Sequence, residues 1–268
     1  MGKVVVLTEI DSRGVTTVTL NRPRVNNAYN AEVLQALIDA CERLGRDDSV
    51  RVVVIRGNGR HFQAGADLAW LEETRRMDKQ ANLETSRLTA LAMRRLNELP
   101  KPTVALVHGA CIGGGTGIAA SCDVVVASRD AVFAVSEARW GMIASIIFPQ
   151  LIAAIGIRNV RRYALTCERF DAERAHAIGL VHEVCVPGRL DEAATPIIEG
   201  LLGAAPEAIR ESKRVVLECA GTMISDAQFE ELVAVHAVKR QSVEAAEGLA
   251  SFLEKRDADG YPKLKSKN

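Results

Sequence analysis

Apolar residues are concentrated in two short runs at the start of the chain, separated by polar residues. Residues 4–10 and 15–20 are rich in β-branched side chains, and residues 11–14 between them (Asp-Ser-Arg-Gly) have the composition of a turn. Two such runs joined by a short polar segment predict a β-hairpin. Beyond it, apolar residues recur at intervals of three and four from Val33 to Cys41, behind Asn30 as a cap, which predicts a helix ending near residue 43.

Short apolar runs and longer helical patterns then follow one another up to about residue 190. Predicted strands cover 52–55, 103–107, 124–127, 131–135 and 181–186, and predicted helices cover 81–98, 114–121, 145–167 and 172–178, with another beginning near Asp67. From Leu190 onward only helical patterns occur, with breaks near residues 203–206 and at Gly221. Alternating strands and helices followed by a helical tail predict an α/β core carrying a C-terminal helical section.

Composition and charge narrow the class of protein. Hydrophobic residues make up 48% of the 268 residues, and 34 basic side chains balance 34 acidic ones. The chain is therefore long enough to bury a large core. A zero net charge favours neither a nucleic-acid partner nor an anionic membrane, so any anionic ligand must be held by a local basic patch.

Targeting signals and metal motifs are missing from the sequence. The first apolar run is too short for a signal peptide, and no stretch reaches the ~20 apolar residues of a membrane span. The six cysteines are scattered without a C-x-x-C pair, which predicts reduced thiols and a cytoplasmic protein. We expect no bound metal, and no nicotinamide or flavin fingerprint is present.

Two glycine-containing segments give the clearest indication of a functional site. Residues 61–68 and 108–117 each follow a buried strand and precede a predicted helix. Ligand sites in α/β folds form beyond the carboxyl ends of strands, and glycine lets the backbone approach a ligand closely. Two backbone N–H groups aimed at one point would stabilise an oxyanion. The alternative is that these glycines serve only as turns; neither segment contains a phosphate-binding loop motif.

Several motifs in the right order resemble the crotonase (enoyl-CoA hydratase/isomerase) superfamily. Residues 62–68 resemble its F-x-A-G-A-D-[LI] signature, and Gly114, forty-eight residues after Ala66, lies in a segment similar to G-x-x-x-G-G-G. Residues 21–28 resemble N-R-P-x-x-x-N-A, and residues 252–256 match F-x-E-K-R. The likeness runs from about residue 4 to 256.

This resemblance implies both an architecture and an activity. The implied fold is a spiral of β-β-α units, residues 1–200, followed by a C-terminal helical trimerisation and CoA-capping region, residues 201–268. The implied chemistry is that of acyl-CoA thioesters, with the backbone N–H groups of Ala66 and Gly114 holding the thioester oxygen as an enolate forms. Coenzyme A would enter as part of the substrate, with no permanently bound cofactor, and the assembly would be a homotrimer or a hexamer made from two trimers.

One carboxylate stands at a catalytic position of the family pattern. Well-known hydratases use two glutamates; Gly117 occupies the first of these positions here, and Glu137 matches the second. A glutamate in an apolar pocket would have a raised pKa, which suits proton transfer. The local alternative is a surface glutamate at a helix start, or a partner of Arg139.

The segments after Glu137 point to one branch of the family. The stretch S-E-x-[RK]-x-G and residues 161–170 resemble bacterial 3-methylglutaconyl-CoA and isohexenylglutaconyl-CoA hydratases. We therefore expect an enoyl-CoA hydratase acting on a branched glutaconyl-type substrate. The alternatives are a Δ3–Δ2-enoyl-CoA isomerase, which needs a single carboxylate, and a non-enzymatic acyl-CoA-binding protein with a degenerate site.

The resemblance also nominates binding residues. For coenzyme A these are Arg24, Val25, Asn26, Ala64, Asp67, Leu68, Phe252 and Lys255. For the acyl pocket they are Trp70, Gly117, Arg139 and Trp140, with Arg139 the nearest candidate cation for a dicarboxyl substrate. An ordinary surface arginine at 139 and core packing of Trp70 are the competing interpretations.

Overall fold

The computed structural model describes residues 4–221, 223–256 and 258–259. The strands within these residues are β1 (Val6–Ile10), β2 (Val15–Leu20), β3 (Val52–Gly57), β4 (Thr103–Val107), β5 (Ala110–Ile112), β6 (Val124–Ser128), β7 (Val132–Ala134), β8 (Phe170–Asp171) and β9 (Glu183–Cys185). The helices are α1 (Ala31–Arg46), α2 (Leu68–Arg76), α3 (Lys79–Asn97), α4 (Gly114–Ala120), α5 (Phe148–Thr166), α6 (Ala172–Ala177), α7 (Leu190–Gly203), α8 (Pro206–Cys219), α9 (Asp226–Arg240) and α10 (Val243–Glu254).

Two sheets organise the first two thirds of the chain. The larger has the order β1-β2-β3-β4-β6-β9, antiparallel between β1 and β2 and parallel elsewhere. The smaller has the order β5-β7-β8. The chain therefore passes from a strand of the large sheet to one of the small sheet and then into a helix, as in β4-β5-α4 and β6-β7 before α5. The predicted α/β class and the predicted hairpin are confirmed.

Alternating side chains place the core on both faces of the large sheet. Along β3, Val53 and Ile55 face a large apolar cluster that includes α1, α3 and α5, while Val52 and Val54 face a second cluster covered by α7. Successive strand residues point to opposite faces, so a strand covered on both sides must be apolar throughout. This burial anchors the strand ends from which the two glycine segments extend.

The structure changes the bounds of one predicted helix. The single helix predicted over 145–167 is a 3₁₀ turn (Ser145–Ile147) followed by α5, which is kinked at Gly156 with φ 71°. The predicted division at residue 200 falls inside α7. The C-terminal section beyond it consists of helices α8, α9 and α10, and its last predicted residues, 260–268, lie outside the described residues.

Candidate active site

The two glycine segments run side by side in parallel. Gln63 and Cys111 form a parallel β-bridge in which the Gln63 N–H donates to Ala110 O (3.0 Å) and the Ile112 N–H donates to Gln63 O (3.0 Å). Three residues beyond this bridge on each segment come Ala66 and Gly114. The fold thus brings together the two residues that the sequence nominates as oxyanion donors.

The segment around Ala66 is held by its neighbours' hydrogen bonds. The buried Gln63 side chain accepts from Gly65 N–H (2.9 Å) and donates to Gly65 O (2.7 Å), and Gly65 has φ 87°. Tyr29 N–H donates to Gly65 O (3.0 Å), and Asp67 N–H donates to Tyr29 O (2.8 Å). The Ala66 N–H between these bonds has no acceptor among the described residues.

Gly114 begins α4 and is held close to an aromatic ring. A Cβ atom at this position would lie 2.4 Å from Tyr29 Cε1, so only glycine fits without a shift. The N–H of the preceding Gly113 donates to Ala134 O (2.8 Å), and the first N–H bonded within the helix turn is that of Gly117, to Gly113 O (3.2 Å). The Gly114 N–H has no described acceptor, as expected for the first amides of a helix.

Glu137 lies against Gly113, the residue that precedes Gly114. It begins a 3₁₀ turn (Glu137–Trp140) after β7, and its Oε1 would be 2.7 Å from a Cβ built on Gly113. Its Oε2 is buried without a described hydrogen-bond partner. Burial raises the pKa of this carboxyl to about 7, against the lowering effect of the backbone N–H groups of Glu137 and Ser136. The side chain can therefore both take and return a proton near neutral pH.

At the first of the two glutamate positions, where this chain has Gly117, an apolar side chain fills the space. A Cβ on Gly117 would lie 2.2 Å from Ile147 Cγ2 and 2.9 Å from Ile147 Cβ. Ile147 belongs to the 3₁₀ turn (Ser145–Ile147) before α5 and is itself buried. Gly117 thus has Ile147 over it, and no second carboxylate is present at this point.

The remaining pocket candidates occupy different environments. Trp70 is buried and meets Tyr29 edge-to-face, with ring centroids 5.8 Å apart. Trp140 is half-buried, whereas Arg139 in the same turn is exposed. Arg139 therefore has the surface position that the sequence analysis gave as the alternative to a cation in the pocket.

The nominated coenzyme A residues near the N-terminus form one connected group. Arg24, Val25 and Asn26 are exposed, and Asn26 O accepts from Ala64 N–H (3.1 Å). The Asp67 carboxylate has a structural role. It accepts a hydrogen bond from Ala69 N–H (3.0 Å), which caps α2, and it forms an ion pair with Arg22 (2.8 Å). Leu68, at the start of α2, is 37% exposed.

The C-terminal candidate Phe252 lies on a helix that packs against the 3₁₀ turn containing Glu137. Phe252, on α10, meets Trp140 edge-to-face with ring centroids 4.3 Å apart. Close contact continues at Gly248, where a Cβ would lie 2.4 Å from the Trp140 carbonyl oxygen. Lys255 ends α10 in a left-handed conformation and is exposed. The contacts shown therefore join α10 to the Glu137 turn.

Sequence reasoning missed three residues that shape this site. Gln63 and Tyr29 contact the two glycine segments that carry Ala66 and Gly114. Arg240 on α9 is only 4% exposed although it is charged. A signal for Arg240 was available: it lies three residues after Ala237 and seven after Val233, both buried, and hence on the apolar face of its helix.

Three broader findings concern the described residues. All six cysteines are unpaired there. No cluster of three or more metal-ligating side chains occurs in the part of the chain that the structure describes. None of the described helices is long and apolar enough to cross a membrane.

Comparisons with known proteins agree with this geometry. The family model described as enoyl-CoA hydratase/isomerase matches residues 11–260. The 2,3-dehydroadipyl-CoA hydratase of Escherichia coli is 33% identical over 253 residues, covering 91% of this chain and 94% of that protein. The trans-2-decenoyl-[acyl-carrier-protein] isomerase of Streptococcus mutans is 31% identical over 214 residues, covering 79% of this chain and 81% of that protein.

Solved structures share the whole architecture. The crystal structure of an enoyl-CoA hydratase from Mycobacterium avium superimposes with a TM-score of 0.85 at 31% identity, covering 96% of this chain and 99% of that one. The match of the family model over nearly the full length, together with this likeness, shows that the chain belongs to the enoyl-CoA hydratase/isomerase (crotonase) family.

Proposed function

We propose that this protein is an enoyl-CoA hydratase that adds water across the 2,3 double bond of a branched, glutaconyl-type acyl-CoA. The observation that carries the proposal is the position of Glu137 against Gly113, the residue before Gly114. The Ala66 and Gly114 N–H groups have no described acceptor, and the Glu137 carboxyl has a buried oxygen without a described partner. These are the groups that hydration of a conjugated thioester requires.

In the proposed reaction a single carboxyl group handles both proton transfers. Ionised Glu137 takes a proton from water as the oxygen of that water bonds to Cβ. The electrons of the double bond move to the thioester oxygen, which accepts hydrogen bonds from Ala66 and Gly114. Protonated Glu137 then delivers its proton to Cα as the enolate collapses, which regenerates the carboxylate. A pKa of about 7 keeps both protonation states accessible during this cycle.

Two observations support the proposed substrate class. The resemblance of residues 161–170 to glutaconyl-type hydratases is one, and the likeness to a 2,3-dehydroadipyl-CoA hydratase is the other. We further propose that the exposed Arg24 loop and Lys255 bind the coenzyme A phosphates. No permanently bound cofactor is part of the proposal, and the protein is proposed to work in the cytoplasm.

A second candidate, Δ3–Δ2-enoyl-CoA isomerase, is favoured by the environment of Gly117. Because Ile147 covers the position of a second glutamate, Glu137 has no carboxylate partner to help hold the water. A lone carboxylate is sufficient to move a proton between Cγ and Cα. The isomerase named among the relatives supports keeping this reaction in the test.

One spectroscopic assay separates these reactions. Hydration of a 2-enoyl-CoA removes the absorbance of the conjugated thioester, whereas isomerisation of a 3-enoyl-CoA creates it. We expect loss of absorbance with 2-enoyl-CoA substrates and a fall in kcat by about 10²–10⁴-fold in Glu137→Gln, since the acid–base group is removed.

Arg139→Met, at an exposed position of the same turn, serves as the matched control and should retain activity. Unchanged hydration in Glu137→Gln would contradict the assigned role. Gain of absorbance from 3-enoyl-CoA without hydration would establish the isomerase. Tight coenzyme A binding with no turnover of either substrate class would show a binding protein.

A further inference from the structure

Arg240 is a buried cation that uses only part of its hydrogen-bonding capacity. It lies on α9 and is 4% exposed. Its Nη2 donates to Ser86 Oγ (3.0 Å) and to His236 Nδ1 (2.9 Å). Its Nε and Nη1 are buried and have no partner among the described residues. Three of the five guanidinium N–H groups are therefore unsatisfied.

No carboxylate of the described residues forms an ion pair with this guanidinium. Burial lowers the pKa of Arg240 to about 10, and no carboxylate is among the groups that act on it. His236 accepts a hydrogen bond through Nδ1 and is neutral, because burial and then the charge of Arg240 hold its pKa well below the usual range. A buried, unpaired charge is costly to a folded protein, so its retention calls for a ligand.

Aromatic side chains connect Arg240 to the candidate active site. The guanidinium lies over Trp70, 5.7 Å from the ring centroid, and Trp70 meets Tyr29 edge-to-face. Tyr29 in turn lies against Gly114, where a Cβ would be 3.0 Å from its hydroxyl oxygen. The charges of both Glu137 and Arg240 act on Tyr29, whose pKa is raised mainly by burial. Tyr29 and Trp70 thus connect the carboxyl of Glu137 with the guanidinium of Arg240, and each of these two groups has buried atoms without a described partner.

This arrangement matches an acyl group that is anionic at its far end. With the thioester oxygen on Ala66 and Gly114 and the reacting carbons beside Glu137, the chain would extend along Tyr29 and Trp70. Its terminus would then reach Arg240. A guanidinium that stacks on an aromatic ring and keeps free N–H groups is suited to a carboxylate.

We propose that Arg240 is a specificity-determining residue that binds a carboxylate at the end of the acyl chain distal to the thioester. The inference rests on the proposed function for the identity of the thioester site. It assigns to Arg240 the role for which the sequence nominated Arg139, and it names ω-carboxyl acyl-CoA thioesters as the preferred ligand class.

A binding experiment tests this without turnover. Calorimetry would compare succinyl-, glutaryl- and adipyl-CoA with butyryl-, valeryl- and hexanoyl-CoA, so that each pair has the same chain length and differs in its terminus. We expect the wild-type protein to bind at least one ω-carboxyl ligand about 10–100-fold more tightly than its methyl-terminated partner, as charge-assisted hydrogen bonds would provide. Arg240→Met should reduce that preference to less than about threefold.

Controls separate specificity from structure. Arg139→Met, which changes an exposed arginine, should keep the preference. Arg240→Met should melt no lower than the wild type, because it removes an unpaired buried charge. Equal affinities within every pair for the wild type would overturn the proposal, as would an equal weakening of both ligands in Arg240→Met.

The binding experiment can distinguish a failure of the Arg240 assignment from a failure of the proposed hydration reaction. If the wild type selects an ω-carboxyl ligand through Arg240 but hydrates no enoyl-CoA, the hydratase is refuted and the assignment of Arg240 stands. If the enzyme hydrates methyl-terminated enoyl-CoAs and shows no selection in binding, the reaction stands and the assignment fails.

Discussion

The Glu137 side chain has an environment that opposes its own ionisation. Its carboxyl is held beside Gly113 with one oxygen unpartnered, and burial raises its pKa from 4.5 to about 7. Such an arrangement reduces the stability of the fold wherever the carboxyl must be charged. A raised pKa is nevertheless what an acid–base group requires at neutral pH. We therefore expect Glu137 to favour proton transfer while it lowers the stability of the fold.

Replacing this carboxyl by an amide should therefore stabilise the protein at alkaline pH. Between pH 4.5 and about 7 the folded state keeps a proton on Glu137 that the unfolded chain releases. Its contribution to stability is fully present below pH 4.5 and is lost as the pH rises through about 7. Relative to the wild type, Glu137→Gln should gain about 1–3 kcal/mol at pH 8 and almost nothing at pH 4.5.

Thermal unfolding at the two pH values measures this difference. Glu72→Gln is the control of opposite sign, because hydrogen bonds from Arg75 and Arg76 lower the pKa of Glu72 despite its partial burial. Because the pKa of Glu72 in the folded protein lies below 4.5, its carboxyl is mostly ionised at both pH values, and that variant should be less stable than the wild type at both. If the difference in melting temperature between Glu137→Gln and the wild type is the same at both pH values, the carboxyl is not held in an apolar site.

At the scale of elements, α4 and the turn before α5 determine how many carboxylates the site can hold. Gly117 lies on α4, and Ile147 of the 3₁₀ turn occupies the space into which a side chain at 117 would project. The two elements approach so closely because residue 117 is glycine. The departure from the two-glutamate pattern is thus a packing feature of this fold as well as a change of chemistry.

Gly117→Ala should consequently destabilise the protein. The added methyl group would lie 2.2 Å from Ile147 Cγ2, and overpacking of this kind typically costs about 1–3 kcal/mol. The cost should fall in an Ile147→Ala background, where Cγ2 is absent. Denaturant unfolding of the single and double variants measures the coupling between the two positions.

Gly200 on α7 offers the matched glycine. Nothing lies within 4 Å of a Cβ built at this helical position, so Gly200→Ala should be neutral or stabilising by up to about 1 kcal/mol. Full additivity of Gly117→Ala and Ile147→Ala would show that the two elements are not in the contact described.

At the scale of the whole molecule, the C-terminal section carries apolar side chains that the single chain leaves exposed. Val216 on α8 is 64% exposed, Val238 on α9 is 74% exposed and Val243 on α10 is 87% exposed. Exposed apolar groups of this size on neighbouring helices are suited to contacts between subunits. They support the prediction that the chain assembles as a homotrimer or hexamer.

We expect a solution mass of three or six times the 29.0 kDa of the chain, measurable by analytical ultracentrifugation. Val238→Glu should shift the assembly toward smaller species, since it would bury a charge at the contact, without lowering the stability of an isolated chain. Glu199→Lys, on the exposed surface of α7, is the control. A wild-type mass equal to that of one chain would refute the assembly.

The amino-acid sequence by itself determined the local structure and the family. Periods of two and of three to four residues marked most strands and helices, because side-chain burial follows local backbone geometry. The glycine signatures and Glu137 could be found in the same way, since their spacing along the chain is part of the pattern. Even so, the pattern over residues 145–167 predicts one continuous helix, where the structure has a 3₁₀ turn (Ser145–Ile147) and a helix kinked at Gly156.

Only the tertiary structure decided which distant residues share the site. The pairing of Gln63 with Cys111 aligns Ala66 with Gly114, Ile147 covers Gly117, and Arg240 reaches Ser86 across 154 positions of the sequence. These contacts depend on how the sheets and helices pack, which no local pattern encodes. The sequence nominates Arg139 as the pocket cation, whereas in the folded chain Arg139 is exposed and Arg240 is buried.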